Sequence, residues 1–101
     1  MILHTVNKSP YERTSLQSCL RVARGGAGIL LIEDGVIAAL DGGDAGASVA
    51  AAAEDKSIYV LGPDLNARGL GDCKLVEGVK VVDYGGFVDL TLEYHAVQAW
   101  T

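Results

Sequence analysis

The uninterrupted apolar run ILLI at positions 29–32 constrains the fold of this chain more than any other stretch. A strand with one face in water alternates apolar and polar residues, whereas a strand covered on both faces is apolar throughout. Strands of the second kind are typical of parallel sheets that carry helices on both sides. The run therefore predicts a central strand, which Glu33-Asp34-Gly35 ends.

Strand-like and helix-like segments alternate along the rest of the chain. The other predicted strands are 2–6, 57–61, 79–82 and, at the edge of the sheet, 97–100. Predicted helices cover about 10–24, 44–54, 64–68 and 87–95, and the stretch 36–40 fits either a short helix or an extended segment. Alternation of this kind implies right-handed crossovers between parallel strands. We predict one α/β domain, 1–101, built as a three-layer sandwich around a mostly parallel sheet of four or five strands.

The first helix has the clearest start signal. Ser9 is placed to cap it, Pro10 suits the first helical position, and Glu12 completes a capping box. Asp44 is placed to cap the second, alanine-rich helix in the same way. Within the first helix an apolar stripe recurs at i, i+3, i+4 and i+7, formed by Leu16, Cys19, Leu20 and Ala23. Cys19 is therefore expected on the side that faces the core.

Composition excludes several classes of function. The chain has 13 acidic and 8 basic residues, a net charge of −5, so direct binding to nucleic acid is not expected. No apolar run reaches the roughly 18–20 residues of a membrane span, and no signal peptide is evident. These features predict a cytoplasmic protein with reduced cysteines. Half of the residues are hydrophobic, which predicts an apolar surface that a partner covers.

Functional groups of a parallel sheet gather where the strands end. The loops expected at that edge are Asn7-Lys8-Ser9, Glu33-Asp34-Gly35, Gly62-Pro63-Asp64 and Asp83-Tyr84-Gly85. The first loop lacks the glycines of a phosphate site, so no nucleotide or other cofactor is predicted. His4 and His95 are isolated, which predicts no metal site. Glu33 and Asp34 fit either an acid/base pair or a solvated turn, and Cys73 lies in a glycine-rich loop with no assigned role.

Four segments in order, LHTVNKSPYER, LLIEDGVIAAL, YVLGPDLNARGL and VVDYGGFVDLT…VQAW, span nearly the whole chain. Together they resemble the DsrH/TusB family of sulfur-relay proteins. The DsrH side is the closer one, because Cys19 falls in the first helix, where many DsrH members carry a cysteine. The resemblance implies a DsrE-like fold. It also implies a heterohexamer with DsrE/TusD-like and DsrF/TusC-like subunits, two copies of each.

The resemblance implies that such complexes pass persulfide sulfur between proteins. The sulfur goes toward 2-thiolation of the wobble uridine of tRNA or serves dissimilatory sulfur oxidation. The main sulfur carrier is a cysteine of the DsrE/TusD-like subunit, and Gly62-Pro63-Asp64-Leu65 offers none in its place here. This chain is therefore expected to be an accessory subunit without sulfurtransferase activity of its own.

The role of Cys19 stays open at this point. It is a candidate secondary sulfur acceptor, and it equally fits a structural residue, since it lies mid-helix on the apolar stripe. Two alternatives to a sulfur-passing subunit also remain. One is a purely structural subunit of the same complex. The other is a self-assembling DsrE-like domain that binds a small molecule or a peptide at the ends of the strands.

Overall fold

The computed structural model describes all 101 residues and contains one sheet of five parallel strands. The strands are β1 (Ile2–Val6), β2 (Gly28–Leu31), β3 (Ser57–Leu61), β4 (Val79–Val82) and β5 (Ala96–Trp100). Their order is β4-β3-β2-β1-β5, so β2, which contains most of the predicted apolar run 29–32, is the central strand and is buried along its whole length. The predicted parallel sheet is confirmed, with the larger of the two strand numbers.

The helices form a layer on each side of the sheet. They are α1 (Ser15–Val22), α2 (Gly46–Ala52), α3 (Gly62–Ala67) and α4 (Tyr84–Glu93), with a 3₁₀-helix at Glu33–Ala39. One face of the sheet packs against α1, α2 and the 3₁₀-helix and holds the larger core, which includes Ile29, Leu31 and Val60. The opposite face packs against α4 alone through Leu3, Leu30 and Leu90. The predicted three-layer arrangement is confirmed.

The stretch 36–40 contains both of the conformations that its sequence fits. It is helical through Ala39, and Leu40 then forms a single antiparallel bridge with Leu75. Val36 and Ala38 are fully buried against the sheet. At seven residues this 3₁₀-helix is longer than most, since runs beyond about four residues are uncommon.

The first helix begins later than predicted, at Ser15 rather than Pro10. The capping-box prediction is wrong, because the hydroxyl oxygen of Ser9 accepts a hydrogen bond from the backbone N–H of Tyr11 at 3.2 Å and closes a local turn. The backbone N–H groups of Glu12 and Arg13 donate to the carbonyl of Ser9 in the same turn. The helix ends at Val22, two residues before the predicted end.

Three other helix starts also differ from the prediction. The helix α3 begins at Gly62 rather than at 64. Ala45, not Asp44, precedes α2, and no side chain caps that helix. The last helix begins at Tyr84 rather than 87, because the carboxylate of Asp83 accepts a hydrogen bond from the backbone N–H of Gly86 at 2.8 Å. An aspartate at this position satisfies an N–H that would otherwise lack a partner. The two glycines are therefore part of the first helical turn.

Ser9→Ala is expected to lower the free energy of unfolding by about 1–2 kcal/mol, because Ser9 is buried and its loss leaves the N–H of Tyr11 without an acceptor. Urea denaturation curves measure this change. Ser48→Ala is the matched control: Ser48 is exposed on α2 and is expected to change stability by less than about 0.5 kcal/mol. Equal midpoints for Ser9→Ala and the wild type would contradict the role of this turn.

Candidate functional site

The carboxyl edge of the sheet brings the predicted loops after β2 and β3 into direct contact. The backbone N–H of Glu33 donates to a carboxylate oxygen of Asp64 at 2.6 Å. Arg68, which follows α3, contacts the carboxylate of Asp34 through Nε at 2.9 Å and the carbonyl of Asp64 through Nη1 at 3.2 Å. Glu33 and Asp34 are exposed and line no cavity. The geometry therefore favours a solvated, ion-paired turn over an acid/base pair.

Glu33 has a left-handed backbone conformation, with φ of 50°. This conformation is uncommon for residues other than glycine and costs free energy that the surrounding structure must supply. Here it turns the chain so that Gly35 lies directly on the carbonyl oxygen of Val6, which also accepts from the N–H of Ile32 at 3.0 Å. A Cβ at position 35 would collide with that carbonyl. Packing of backbone on backbone therefore explains the strained turn.

Asn7, directly after β1, adds an unmet hydrogen-bonding group to this edge. Its side-chain oxygen is buried and has no hydrogen-bond partner within the chain. Most buried polar groups in folded proteins are paired. The edge thus offers one free acceptor beside a network of exposed carboxylates. Nowhere in the chain do three His, Cys, Asp or Glu side chains converge closely enough to hold a metal ion.

The two cysteines lie in opposite environments. Cys19 is on α1, 0% exposed, in the larger core, as its place on the apolar stripe predicts. Burial raises the pKa of its thiol to about 12, and the nearby cation of Lys56 only partly opposes this effect. Cys73 is exposed in the segment between α3 and β4. Since the thiolate is the reactive form, these surroundings disfavour reaction of Cys19 in the isolated folded chain, and its role as a sulfur acceptor stays a prediction.

The histidines have structural partners. The indole N–H of Trp100 donates to Nδ1 of His4 at 3.0 Å and ties the edge strand β5 to β1. Nδ1 of His95 lies 2.8 Å from the amino group of Met1. Both contacts join the first residues of the chain to the last, which a sequence pattern does not reveal.

Sequence reasoning missed the outer side of α4. Tyr84, Val88 and Leu92 recur every four residues along it and are 60%, 58% and 79% exposed. The inner side of the same helix packs Phe87 and Leu90 on the sheet, and Tyr94, which follows the helix, packs beside them. A helix that is apolar on both sides is usually covered on both sides. The apolar composition of 84–92 was the sequence signal that could have revealed this surface. We call the exposed residues Tyr84, Val88 and Leu92 the α4 stripe.

The structure is that of a small α/β sandwich whose fold recurs in solved proteins. The crystal structure of the ychN protein from E. coli matches it with a TM-score of 0.87 at 21% identity, covering 98% of this chain and 97% of that one. Protein MTH1491 from Methanobacterium thermoautotrophicum matches with a TM-score of 0.74 at 19% identity, covering 97% and 96%.

Sequence comparison is more specific than the fold. The family described as DsrH like protein matches residues 8–97. The protein TusB of Pectobacterium parmentieri is 41% identical over 99 residues, which cover 98% of this chain and 100% of that protein. TusB of Escherichia coli K12 is 36% identical over the same shares of the two chains. The chain belongs to the DsrH/TusB family of sulfur-relay proteins. No helix in it has the length and apolar character needed to cross a membrane.

Proposed function

We propose that this chain is the DsrH/TusB-type subunit of a heterohexameric sulfur relay. Its partners are a DsrE/TusD-like and a DsrF/TusC-like subunit, with two copies of each of the three chains. The complex passes persulfide sulfur between proteins. The observation that carries the proposal is the match to TusB proteins along their full length. Because these relatives are named TusB, 2-thiolation of the tRNA wobble uridine is the first candidate pathway, and dissimilatory sulfur oxidation is the second.

The positions of the cysteines support an accessory role. The chain carries no cysteine at the end of β3, where Leu61 leads directly into α3. The one exposed thiol, Cys73, lies in the segment between α3 and β4, and Cys19 is buried in the core. The net charge of −5 also gives the chain little affinity for RNA, so basic surface for tRNA would come from another subunit. We infer that this subunit contributes surface to the relay and leaves the principal sulfur transfer to its partners.

The α4 stripe supports assembly with other chains. Its three large apolar side chains stand in water on the side of the sheet that one helix alone covers. Exposed apolar patches on small soluble proteins mark interaction surfaces, and the centres of such surfaces are depleted in charge. We infer that a partner subunit covers the stripe.

Co-expression of the three chains tests the proposal. We expect a soluble complex with equal amounts of each chain in size-exclusion chromatography and mass spectrometry, and self-association of this chain when it is made alone. Leu92→Glu is expected to abolish assembly because it places a charge on the most exposed residue of the α4 stripe. Ala50→Glu, which adds the same charge to an exposed position of α2, is the matched control and should assemble normally.

Three outcomes separate the hypotheses. A well-behaved monomer that ignores both partners would contradict membership of a relay complex. A stable homo-oligomer that excludes the partners would support the self-assembling domain instead. Normal assembly of Leu92→Glu would mean that the interface lies elsewhere on the chain.

A further inference from the structure

A cavity of about 190 Å³ lies beside His4, on the side of the sheet that packs against α1. It is bounded by the start of β1, the end of α1 and the middle of β5. Six of its lining residues are used below: Met1, Ile2, His4, Val22, Arg24 and Gln98. None of the predicted loops at the strand ends contributes to it, so the cavity is separate from the edge described above.

The hydrogen bond from Trp100 decides which proton His4 carries. An indole N–H only donates, so Nδ1 of His4 must accept, and the neutral ring then holds its proton on Nε2. His4 is 3% exposed, and burial lowers its pKa, which keeps the ring neutral at pH 7. Nε2 has no hydrogen-bond partner within the chain although His4 lines the cavity. Because Nε2 is not among the fully buried unpaired atoms of the chain, its N–H is an accessible donor in the cavity wall.

The other polar groups of the cavity also favour an occupant that accepts hydrogen bonds. Arg24 makes no salt bridge within the chain. Gln98 is the register partner of His4 on β5, so its side chain lies on the same face of the sheet. No acidic residue lines the cavity, although acidic residues outnumber basic ones by 13 to 8 in the chain. A cation and neutral donors without a carboxylate form a site complementary to an anion.

The remaining wall is apolar and limits the size of the occupant. Ile2 and Val22 line the cavity and are both partly open to solvent. Sites for drug-sized molecules enclose about 300–1,000 Å³, so a cavity of about 190 Å³ suits a smaller group. We propose that it binds a carboxylate attached to a short aliphatic group, with Arg24 as the ion-pair partner and the Nε2–H of His4 and the amide of Gln98 as donors.

A carboxylate on a short aliphatic group is found in a free short-chain acid and in the carboxyl-terminal residue of a partner chain. Two unique signals report on the site, because the chain has one methionine and one tryptophan. Met1, whose methyl group gives a single NMR signal, lines the cavity, and the indole N–H of Trp100 is bonded to His4. Titration of the full chain with 4-methylpentanoate is expected to shift both NMR signals to saturation. The isosteric 4-methylpentanamide, which has no charge, is expected to bind at least tenfold more weakly.

Arg24→Gln is expected to weaken binding of 4-methylpentanoate about tenfold. Arg21→Gln is the matched control, since Arg21 is also exposed, lies on α1 and does not line this cavity. A tripeptide ending in leucine, compared with its amidated form, distinguishes the sources: tighter binding of the free peptide than of the acid identifies a chain terminus. Equal binding of acid and amide, unchanged affinity of folded Arg24→Gln, or the absence of a saturable shift would each overturn the proposal.

Discussion

In the folded chain Cys19 is expected to react with iodoacetamide at least a hundredfold more slowly than Cys73 at pH 8. A pKa of about 12 leaves a thiolate fraction roughly a thousandfold smaller than that of a cysteine of ordinary pKa. The side chain is also 0% exposed, so the reagent reaches it only when the chain opens. Mass spectrometry of the two cysteine peptides over time measures both rates.

The matched variants are Cys73→Ala, which leaves only Cys19, and Cys19→Ala, which leaves only Cys73. In urea the two variants are expected to react at similar rates, because unfolding removes the burial that protects Cys19. Similar rates in the native protein would mean that α1 does not hold Cys19 in the core.

The same variants, together with the near-isosteric Cys19→Ser, test sulfur transfer in the assembled complex. Loading from a persulfide donor is expected to add sulfur to the partner carrier in the wild type and in every variant. Sulfur on this chain requires a partner contact that exposes Cys19, and it is expected to disappear in Cys19→Ser and Cys19→Ala and to remain in Cys73→Ala. Sulfur that stays without Cys19 would identify Cys73 as the acceptor. A relay that runs while this chain is never modified would limit Cys19 to its packing role in the core.

Gly35→Ala is expected to lower the free energy of unfolding by about 3 kcal/mol or more. The new Cβ would collide with the carbonyl oxygen of Val6, and no rotamer change can relieve a clash with backbone. That carbonyl also accepts from the N–H of Ile32, so moving it strains the exit of the central strand. A loss of this size corresponds to a fall in Tm of about 10–25 °C for a domain of this length. Thermal unfolding followed by circular dichroism measures it.

Gly85→Ala is the control with the opposite expected sign. Gly85 is exposed in the first turn of α4, and an added Cβ there meets only an ordinary contact with Asp83. Alanine is a better helix former than glycine, so this variant should be at least as stable as the wild type. Equal losses in both variants would contradict a specific role of close packing at Gly35.

Local patterns predicted the strands well. The apolar run at 29–32 indicated a central strand, and the structure places β2 in the middle of five parallel strands. The spacing of Leu16 and Cys19 indicated the buried side of the first helix, and both residues are in the core. A helical period or an uninterrupted apolar run is a pattern among residues that are close in the chain. One sequence is therefore enough to predict which residues of an element are buried. The four segments that run through the chain also identified the family through resemblance.

Helix starts were predicted less well because they depend on competition between bonds. Ser9 has the residue type of a helix cap, yet its hydroxyl closes a turn with Tyr11. At the other end of the chain, the carboxylate of Asp83 starts α4 three residues before the predicted position. The alternative helix starts differ by only about 1 kcal/mol in their local hydrogen bonds. The position of the adjoining strands therefore decides between them.

The sequence alone therefore determined the parallel α/β sheet, the core side of Cys19 and the membership of a sulfur-relay family. Only the tertiary structure decided which distant residues meet. Asp64 binds the backbone of Glu33, Trp100 sets the proton of His4, and the α4 stripe is left uncovered. These contacts join positions up to 96 residues apart, and they depend on strand order and register. Periodicity reports which face of an element is buried and carries no information on the neighbour that buries it.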